Sequence, residues 1–139
     1  MGGARIALGY ATPNCPSPKW RLLTWPQELR AYEQEFSDHG YGQPPLWLTE
    51  FGWPGAAQAD PPTVPDQGAQ ARYLDEAYRD LLGLPFVQGA MWFNLRDYEP
   101  GLSTPDPPFF YHYGLLDYGY AQKPAAAAFQ ALARANPGR

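Results

Sequence analysis

The chain has 139 residues, a formal net charge of −4 and an aromatic content of 16%. This length suffices for one domain with a real core and is short for two. The acidic balance and the lack of a lysine or arginine cluster argue against nucleic acid or an anionic membrane as the main partner. The aromatic surplus is typical of sugar-binding clefts, where rings stack on pyranose faces, and also of protein interfaces.

The single cysteine, Cys15, excludes an internal disulfide framework and leaves the redox compartment undetermined. No apolar run is long enough to span a membrane, and residues 1–20 lack the apolar centre of a signal peptide. If the parent protein is secreted, its signal is not in this chain, so the localisation stays open. The two histidines, His39 and His112, lie far apart and give no metal-ligand spacing. We expect neither a metal site nor a cofactor.

The sequence of the first part of the chain predicts a short strand, a loop and one helix. Residues 5–10 fit a short strand, and residues 11–23 form a loop that contains several prolines. A helix is predicted from Thr24, a good N-cap residue, and it ends near Gly40 or Gly42. Its apolar stripe, at helical spacing, consists of Leu29, Tyr32 and Phe36.

Residues 46–48, Leu-Trp-Leu, form an unbroken apolar approach that ends at Thr49 and Glu50, after which Gly52 and Pro54 turn the chain. A short apolar run bounded by turn residues is typical of a strand that is buried on both faces, as in a parallel sheet. A glutamate at the C-terminal end of such a strand lies where α/β barrels place catalytic side chains. The alternative is a glutamate in a surface loop that happens to follow a strand, and position alone leaves both interpretations open.

The second half of the chain continues the alternation of helix and strand. A helix is predicted from Thr63, as its N-cap, to about residue 82, followed by an apolar strand over residues 86–94. Residues 95–122 form a loop too long to be a mere connection, and a last helix opens at Lys123. This order predicts an α/β fold with right-handed crossovers and a parallel sheet. No glycine-rich phosphate-binding pattern follows either strand, which counts against a nucleotide-binding protein.

Four stretches of the sequence resemble clan A glycoside hydrolases, the retaining (β/α)8-barrel enzymes that include cellulases, β-glucanases and xylosidases. Residues 47–54, Trp-Leu-Thr-Glu-Phe-Gly-Trp-Pro, resemble the seventh strand of these barrels. Residues 89–97, Gly-Ala-Met-Trp-Phe-Asn-Leu-Arg-Asp, resemble the eighth strand. The helix between the two strands is similar to residues 70–74, and the closing segment of the barrel is similar to residues 113–117 and 122–125.

The resemblance extends over residues 24–133 and implies the C-terminal portion of a (β/α)8 TIM barrel, strands 6–8 with their helices. The chain, residues 1–139, is then a partial glycoside hydrolase catalytic domain, in which residues 1–23 are assigned only as a strand and a loop. A complete barrel takes about 250 residues. We therefore expect this chain to be part of a longer enzyme or of a truncated gene product.

The resemblance also implies roles for individual residues. Glu50 occupies the place of the nucleophile, and Trp92 matches the tryptophan that stacks beneath the sugar, although an apolar strand also needs large side chains in its core. Trp53 either flanks the same cleft or covers the barrel rim, and Asn94 lies at the mouth after Trp92. Tyr10 corresponds to a tyrosine that hydrogen-bonds the nucleophile, although the histidine that commonly precedes it is absent here.

Two further side chains at this mouth, Arg96 and Asp97, are expected to form an ion pair that fixes the loop and not to bind substrate. The acid/base glutamate of these enzymes follows an asparagine, and this sequence contains no Asn-Glu pair. A retaining glycosidase needs two carboxyl groups, about 5–5.5 Å apart. We therefore expect the isolated chain to be inactive alone.

The expected function is hydrolysis of O-glycosidic bonds in β-linked oligo- or polysaccharides, by a double displacement in which this chain supplies the nucleophile. One alternative is a non-catalytic barrel remnant that binds carbohydrate or associates through its exposed sheet edges. The other is an unrelated small α/β protein in which the motif occurs by chance.

Overall fold

The computed structural model describes residues 25–56, 65–99 and 111–137. Within these ranges the chain forms three helices and two strands. In chain order they are α1 (Trp25–Asp38), β1 (Leu46–Phe51), α2 (Gln67–Leu82), β2 (Val87–Trp92) and α3 (Pro124–Ala135). The order predicted from residue 24 onward and the α/β class are confirmed, whereas the strand predicted at residues 5–10 lies outside the described residues.

The two strands are parallel neighbours. One face of this pair packs against Leu29 of α1 and against Ala77 and Leu81 of α2. Leu48 and Phe51 of β1 are buried on that face. The opposite face exposes Trp47 and Met91, each to 53%. Trp47 pairs with Gly89, and a Cβ at Gly89 would lie 2.5 Å from the indole ring. The indole can therefore lie flat on the neighbouring strand only because residue 89 has no side chain.

Helices α2 and α3 are held together by a second apolar cluster, in which Leu74 of α2 packs with Leu115 and Leu132. Leu81, about two turns farther along the same face of α2, belongs instead to the cluster beneath the sheet. Helix α2 thus packs against both the strands and α3, as its predicted apolar face requires. The predicted stripe on α1 is different, because Leu29 is fully buried while Tyr32 and Phe36 are exposed.

The start of α2 corrects one sequence prediction. The N-cap is Asp66 and not Thr63, which lies outside the described residues. The carboxylate of Asp66 accepts a hydrogen bond of 2.6 Å from the backbone N–H of Ala69, and its backbone is extended, as an N-cap requires. A later Asp, able to satisfy a free N–H group of the first turn, therefore defines where the helix begins. None of the helices within the described ranges combines the length and apolar character needed to cross a membrane.

Tyr78 links α2 to the sheet and provides a pH-dependent probe of this packing. Its ring meets Phe51 and Phe129 edge to face, and its hydroxyl donates to the carbonyl of Ala90 at 3.2 Å. Burial raises the pKa of Tyr78 from 10.0 to about 12, and a backbone group of Trp92 acts in the opposite direction. The folded chain therefore keeps a proton that the unfolded chain releases between these two pH values.

Because the folded-state pKa is the higher one, the contribution of Tyr78 to the free energy of unfolding is complete below pH 10 and falls as the pH rises toward 12. We predict that Tyr78→Phe costs about 1 kcal/mol at pH 8, from the lost hydrogen bond, and flattens the alkaline decline. Urea unfolding at pH 8 to 11.5 measures both effects. Tyr41→Phe, at a position 73% exposed, is the control and should follow the wild-type profile. An unchanged slope in Tyr78→Phe would contradict the prediction.

Candidate active site

Glu50 is the next-to-last residue of β1 and lies in an irregularity of the strand pairing. Leu48 pairs with Ala90 and Phe51 with Trp92, so β1 advances three residues where β2 advances two. The extra residue of β1 is a β-bulge between Leu48 and Phe51, where Glu50 lies. In a regular strand Glu50 would share a face with Leu48, because side chains two residues apart point the same way. With the bulge, Leu48 and Phe51 are both buried and Glu50 is exposed.

The bounds of β1 distinguish the two interpretations of where Glu50 lies, in a strand or in a surface loop. The residue is part of a strand and not of a following loop. Within the described ranges its carboxylate has neither a hydrogen-bond donor nor a cation as partner. The exposed carboxylate at this strand end is therefore not occupied by a neighbouring group, and its catalytic role stays a prediction. β-Bulges are over-represented beside active sites because they redirect a side chain in this way.

The two predicted tryptophans, Trp53 and Trp92, lie together on the covered side of the sheet. Their ring centroids are 6.1 Å apart, and each ring meets Phe51 edge to face, at 6.2 Å for Trp53 and 5.6 Å for Trp92. Trp53 also contacts the ring of Tyr73 at 5.9 Å. The indole N–H of Trp92 donates to the carbonyl of Tyr113 at 3.1 Å. These contacts give both tryptophans a structural role in the core, and a role in sugar binding stays a prediction.

Asn94, two residues beyond β2, offers a polar group without a partner. Its backbone N–H donates to Tyr113 at 3.2 Å, and its carbonyl accepts from Leu115 at 3.1 Å. The side-chain Oδ1 is buried and accepts no hydrogen bond. An unsatisfied buried acceptor costs about 1–3 kcal/mol, and a role of Asn94 in substrate binding stays a prediction.

A fully buried glutamine on α2, Gln70, ties the segments that follow the two strands to each other. Its Nε2 lies 2.9 Å from the carbonyl oxygen of Trp53, after β1, and 3.3 Å from those of His112 and Gly114, beyond β2. A Cβ on Gly55 would lie 2.3 Å from the Oε1 of Gln70, so only glycine fits at position 55, in the segment after β1. Gln70 therefore fixes both segments relative to the same helix.

A buried ion pair makes a second anchor and corrects another prediction. Asp97 pairs with Lys123, whose Nζ lies 3.1 and 3.2 Å from the two carboxylate oxygens, and not with Arg96. Asp97 also accepts from the backbone N–H of Gly114 at 2.7 Å, and Lys123 donates to the carbonyl of His112 at 2.9 Å. The guanidinium of Arg96 lies instead over aromatic rings. Asp97 does fix the loop, but with a cation 26 positions later.

The electrostatics of this pair follow from its burial. Removal of Lys123 from water lowers its pKa, and the nearby Asp97 carboxylate opposes that shift without cancelling it. His112 lies beside the pair, with its Nδ1 3.6 Å from a carboxylate oxygen of Asp97. The pair is therefore a closed structural unit, and Asp97 is occupied and unsuited to act as a second catalytic carboxyl group.

Two sequence predictions remain: a role in the site for Tyr10, and the lack of a metal site. Tyr10 lies outside the described residues. In the parts of the chain that the structure describes, no group of three or more His, Cys, Asp or Glu side chains is arranged to hold a metal ion. Sequence reasoning missed Gln70 as an anchor, although its position four residues before Leu74 on the buried face of α2 marks it as a polar residue in an apolar stripe.

Comparison with solved structures confirms the resemblance of this chain to glycoside hydrolases. No protein-family model and no curated protein matches the chain. The structure of GH5_18 from Streptomyces cattleya, in complex with Manβ1-4GlcNAc, matches with a TM-score of 0.57 and 27% identity, over 71% of this chain and 23% of that one.

Two further structures are similar to the same extent. GH5_18 from Bifidobacterium longum, also in complex with Manβ1-4GlcNAc, has a TM-score of 0.54 and 25% identity, over 68% of this chain and 20% of that one. The β-glucuronidase from Ruminococcus gnavus, in complex with an N1-substituted uronic isofagomine, has a TM-score of 0.54 and 25% identity, over 76% of this chain and 19% of that one. The chain thus spans about a fifth of the length of these enzymes.

The Asp97–Lys123 anchor leads to a stability prediction. Asp97→Asn leaves a buried ammonium without its counter-charge, and Lys123→Met leaves a buried carboxylate, so each should lower the free energy of unfolding by about 3–5 kcal/mol. The double variant should lose much less than the sum, because no charge is then left unpaired. Chemical denaturation measures all three.

The matched control is the exposed pair of Asp75 and Arg79 on α2, in which Nε of Arg79 lies 2.7 Å from Oδ2 of Asp75. Asp75→Asn should change stability little, since water already solvates both groups. Additive losses in the double variant, or equal losses at the buried and the exposed pair, would contradict this account.

Proposed function

We propose that Glu50 is the nucleophile of a retaining glycoside hydrolase that acts on β-linked oligo- or polysaccharides, and that this chain forms part of its (β/α)8 barrel. The observation that supports the proposal most directly is the bulge in β1, which directs one unpartnered carboxylate away from the core at the end of a parallel strand. The similar enzymes are glycoside hydrolases, and two of them hold the β-linked disaccharide Manβ1-4GlcNAc.

In this mechanism a carboxylate oxygen of Glu50 attacks the anomeric carbon while the bond to the departing oxygen breaks, which forms a covalent glycosyl ester. A second carboxyl group normally protonates the departing oxygen and then activates water. Asp97 cannot supply that group, because Lys123 and Gly114 already occupy it. Since the sequence has no Asn-Glu pair, we infer that the acid/base is a glutamate that this chain does not contain.

The proposal separates the two halves of the reaction, and a suitable substrate tests the first half alone. Dinitrophenolate departs without protonation, so a 2,4-dinitrophenyl 2-deoxy-2-fluoro-β-glycoside needs the nucleophile but no general acid. The fluorine slows hydrolysis of the ester, and the glycosyl group remains on the protein. We predict that the 139-residue chain gains the mass of one fluoroglycosyl unit, on the peptide that contains Glu50, with one of the glucosyl, mannosyl and glucuronyl reagents.

Glu50→Gln should abolish this labelling, whereas Glu99→Gln, an exposed carboxylate after β2, should leave it unchanged. Labelling of Glu50→Gln, or no labelling with any of the three sugars, would contradict the assignment. The same chain should not hydrolyse methylumbelliferyl β-glycosides, whose leaving group needs more help from an acid. Turnover that Glu50→Gln removes would show that the acid/base is present after all.

A second candidate function, self-association, is favoured by one observation. Trp47 and Met91 are half exposed on the uncovered face of the sheet. Parallel sheets are normally covered on both faces, so this apolar surface is suited to a second copy of the chain. Self-association through this face is compatible with the fold and with the position of Glu50.

Replacement of the exposed indole tests self-association. If two copies meet through this face, the wild-type chain should sediment as a dimer or larger species, and Trp47→Lys should sediment as a monomer. Tyr41→Lys, at an exposed position between α1 and β1, is the matched control and should behave as wild type. A monomeric wild-type chain at high micromolar concentration would exclude self-association through this surface.

A further inference from the structure

The segment after β2 pairs with the segment before α3 and forms a hydrogen-bonded frame. Arg96 and Leu116 form a parallel bridge, with hydrogen bonds of 2.9 Å from Leu116 N–H to the carbonyl of Leu95 and from Asp97 N–H to the carbonyl of Leu116. Leu116 also bridges Gln122 in the antiparallel sense. Hydrogen bonds therefore hold the backbone on both sides of Arg96.

The turn that follows this frame is held by a single aspartate. The backbone N–H of Asp117 donates to the carbonyl of Ala121 at 2.9 Å, and its side chain accepts from the N–H of Ala121 at 2.8 Å. Tyr120, inside this turn, donates its N–H to Asp117 at 3.1 Å and has a φ of 68°. A bulky residue in the left-handed region is uncommon and is often retained for a function.

The consequence of this geometry is an arginine that lies over two exposed aromatic rings. The guanidinium carbon of Arg96 is 4.5 Å from the ring centroid of Tyr120 and 5.1 Å from that of Tyr118. The two tyrosines are 67% and 41% exposed. We name Arg96, Tyr118 and Tyr120 the Arg–Tyr platform.

The guanidinium of this platform has no counter-charge in the described part of the chain. Its neighbour Asp97 is committed to Lys123, and the exposed Arg79 has Asp75, whereas Arg96 forms no ion pair or side-chain hydrogen bond there. Contact with the ring faces stabilises the cation but uses none of its five N–H donors. These donors form a planar fork that matches a carboxylate group with two parallel hydrogen bonds.

We propose that the Arg–Tyr platform binds a carboxylate-bearing sugar, a uronic acid unit, in the oligosaccharide on which the enzyme acts. Arg96 would bind the carboxylate, and the exposed tyrosine rings would contact the apolar face of the sugar. The platform follows the C-terminal end of β2, and Glu50 lies at the same end of the parallel strand β1. The inference rests on the proposed function for the identity of the ligand as a sugar, and on the platform alone for its negative charge.

Two disaccharides that differ in one group test the proposal with the full 139-residue chain. Cellobiouronic acid, a glucuronic acid β-linked to glucose, carries a carboxylate where cellobiose carries a hydroxymethyl group. Titration calorimetry in 150 mM NaCl should show that the acid binds roughly tenfold more tightly, as a charge-assisted bidentate pair would give. Equal affinity for the two disaccharides, or no binding of the acid at millimolar concentration, would overturn the proposal.

Variants then locate the effect. Arg96→Met should weaken the acid roughly tenfold and leave cellobiose unchanged, and Arg96→Lys should restore only part of the preference, because an ammonium lacks the fork. Tyr120→Ala should weaken both disaccharides. Arg134→Met, at an exposed arginine in the last turn of α3, is the matched control and should have no effect. Circular dichroism spectra and melting curves of each variant show whether the fold is kept, and a preference that survives Arg96→Met in a folded chain would overturn the assignment.

Two controls separate this inference from its rivals. If a hexaglutamate peptide competes as strongly as cellobiouronic acid, the platform is a site for acidic protein and the proposal is wrong. Glu50→Gln should keep the preference for the acid, because Glu50 is not part of the platform. Labelling of Glu50 without a carboxylate preference therefore refutes only the platform. A preference that depends on Arg96, without labelling of Glu50, refutes only the proposed catalytic function.

Discussion

The arrangement of this site depends on the hydrogen bonds that the side chain of Gln70 donates. This side chain is buried in α2 and donates to carbonyl groups in two segments that are remote in sequence, one after β1 and one beyond β2. A parallel pair of strands determines where two segments leave the sheet but not how they continue. A single amide that hydrogen-bonds both segments supplies that missing constraint. The geometry needs glycine at position 55, because any side chain there would displace the amide.

The pair of Asp97 and Lys123 anchors helix α3 in a similar way. Lys123 is the N-cap residue of α3, so the ion pair joins the start of that helix to the segment after β2. The charges are buried, and their value lies less in net stability than in the cost of any arrangement that separates them. Gly114 is again the residue that makes room, since a Cβ there would lie 2.2 Å from the backbone nitrogen of Asp97. Two polar anchors, each beside a glycine, thus hold the loops at one end of the sheet.

These anchors also show how far the sequence could predict the fold and the site. The strands and helices from residue 24 onward followed from apolar periodicity and from turn residues, because these signals are local. The partner of Asp97 could not be predicted in this way, since Arg96 is its neighbour in sequence and Lys123 is its neighbour only after folding. The contacts of Trp92 are a similar case. Its place in an apolar strand could be predicted, whereas the hydrogen bond from its indole N–H to the carbonyl of Tyr113 joins residues 21 positions apart, and its role in sugar binding stays a prediction.

The bulge in β1 shows why the position of Glu50 could be predicted while its exposure could not. In a strand of strict alternation, a buried Leu48 would draw Glu50 to the same covered face, and Phe51 would be turned outward. Burial of an ionised carboxylate without a partner costs several kcal/mol, and exposure of a phenylalanine loses about 2 kcal/mol more. One extra residue removes both costs, because Leu48 and Phe51 then share the core and Glu50 is free. The irregularity therefore serves stability and the candidate site together, and a regular β1 could not provide both.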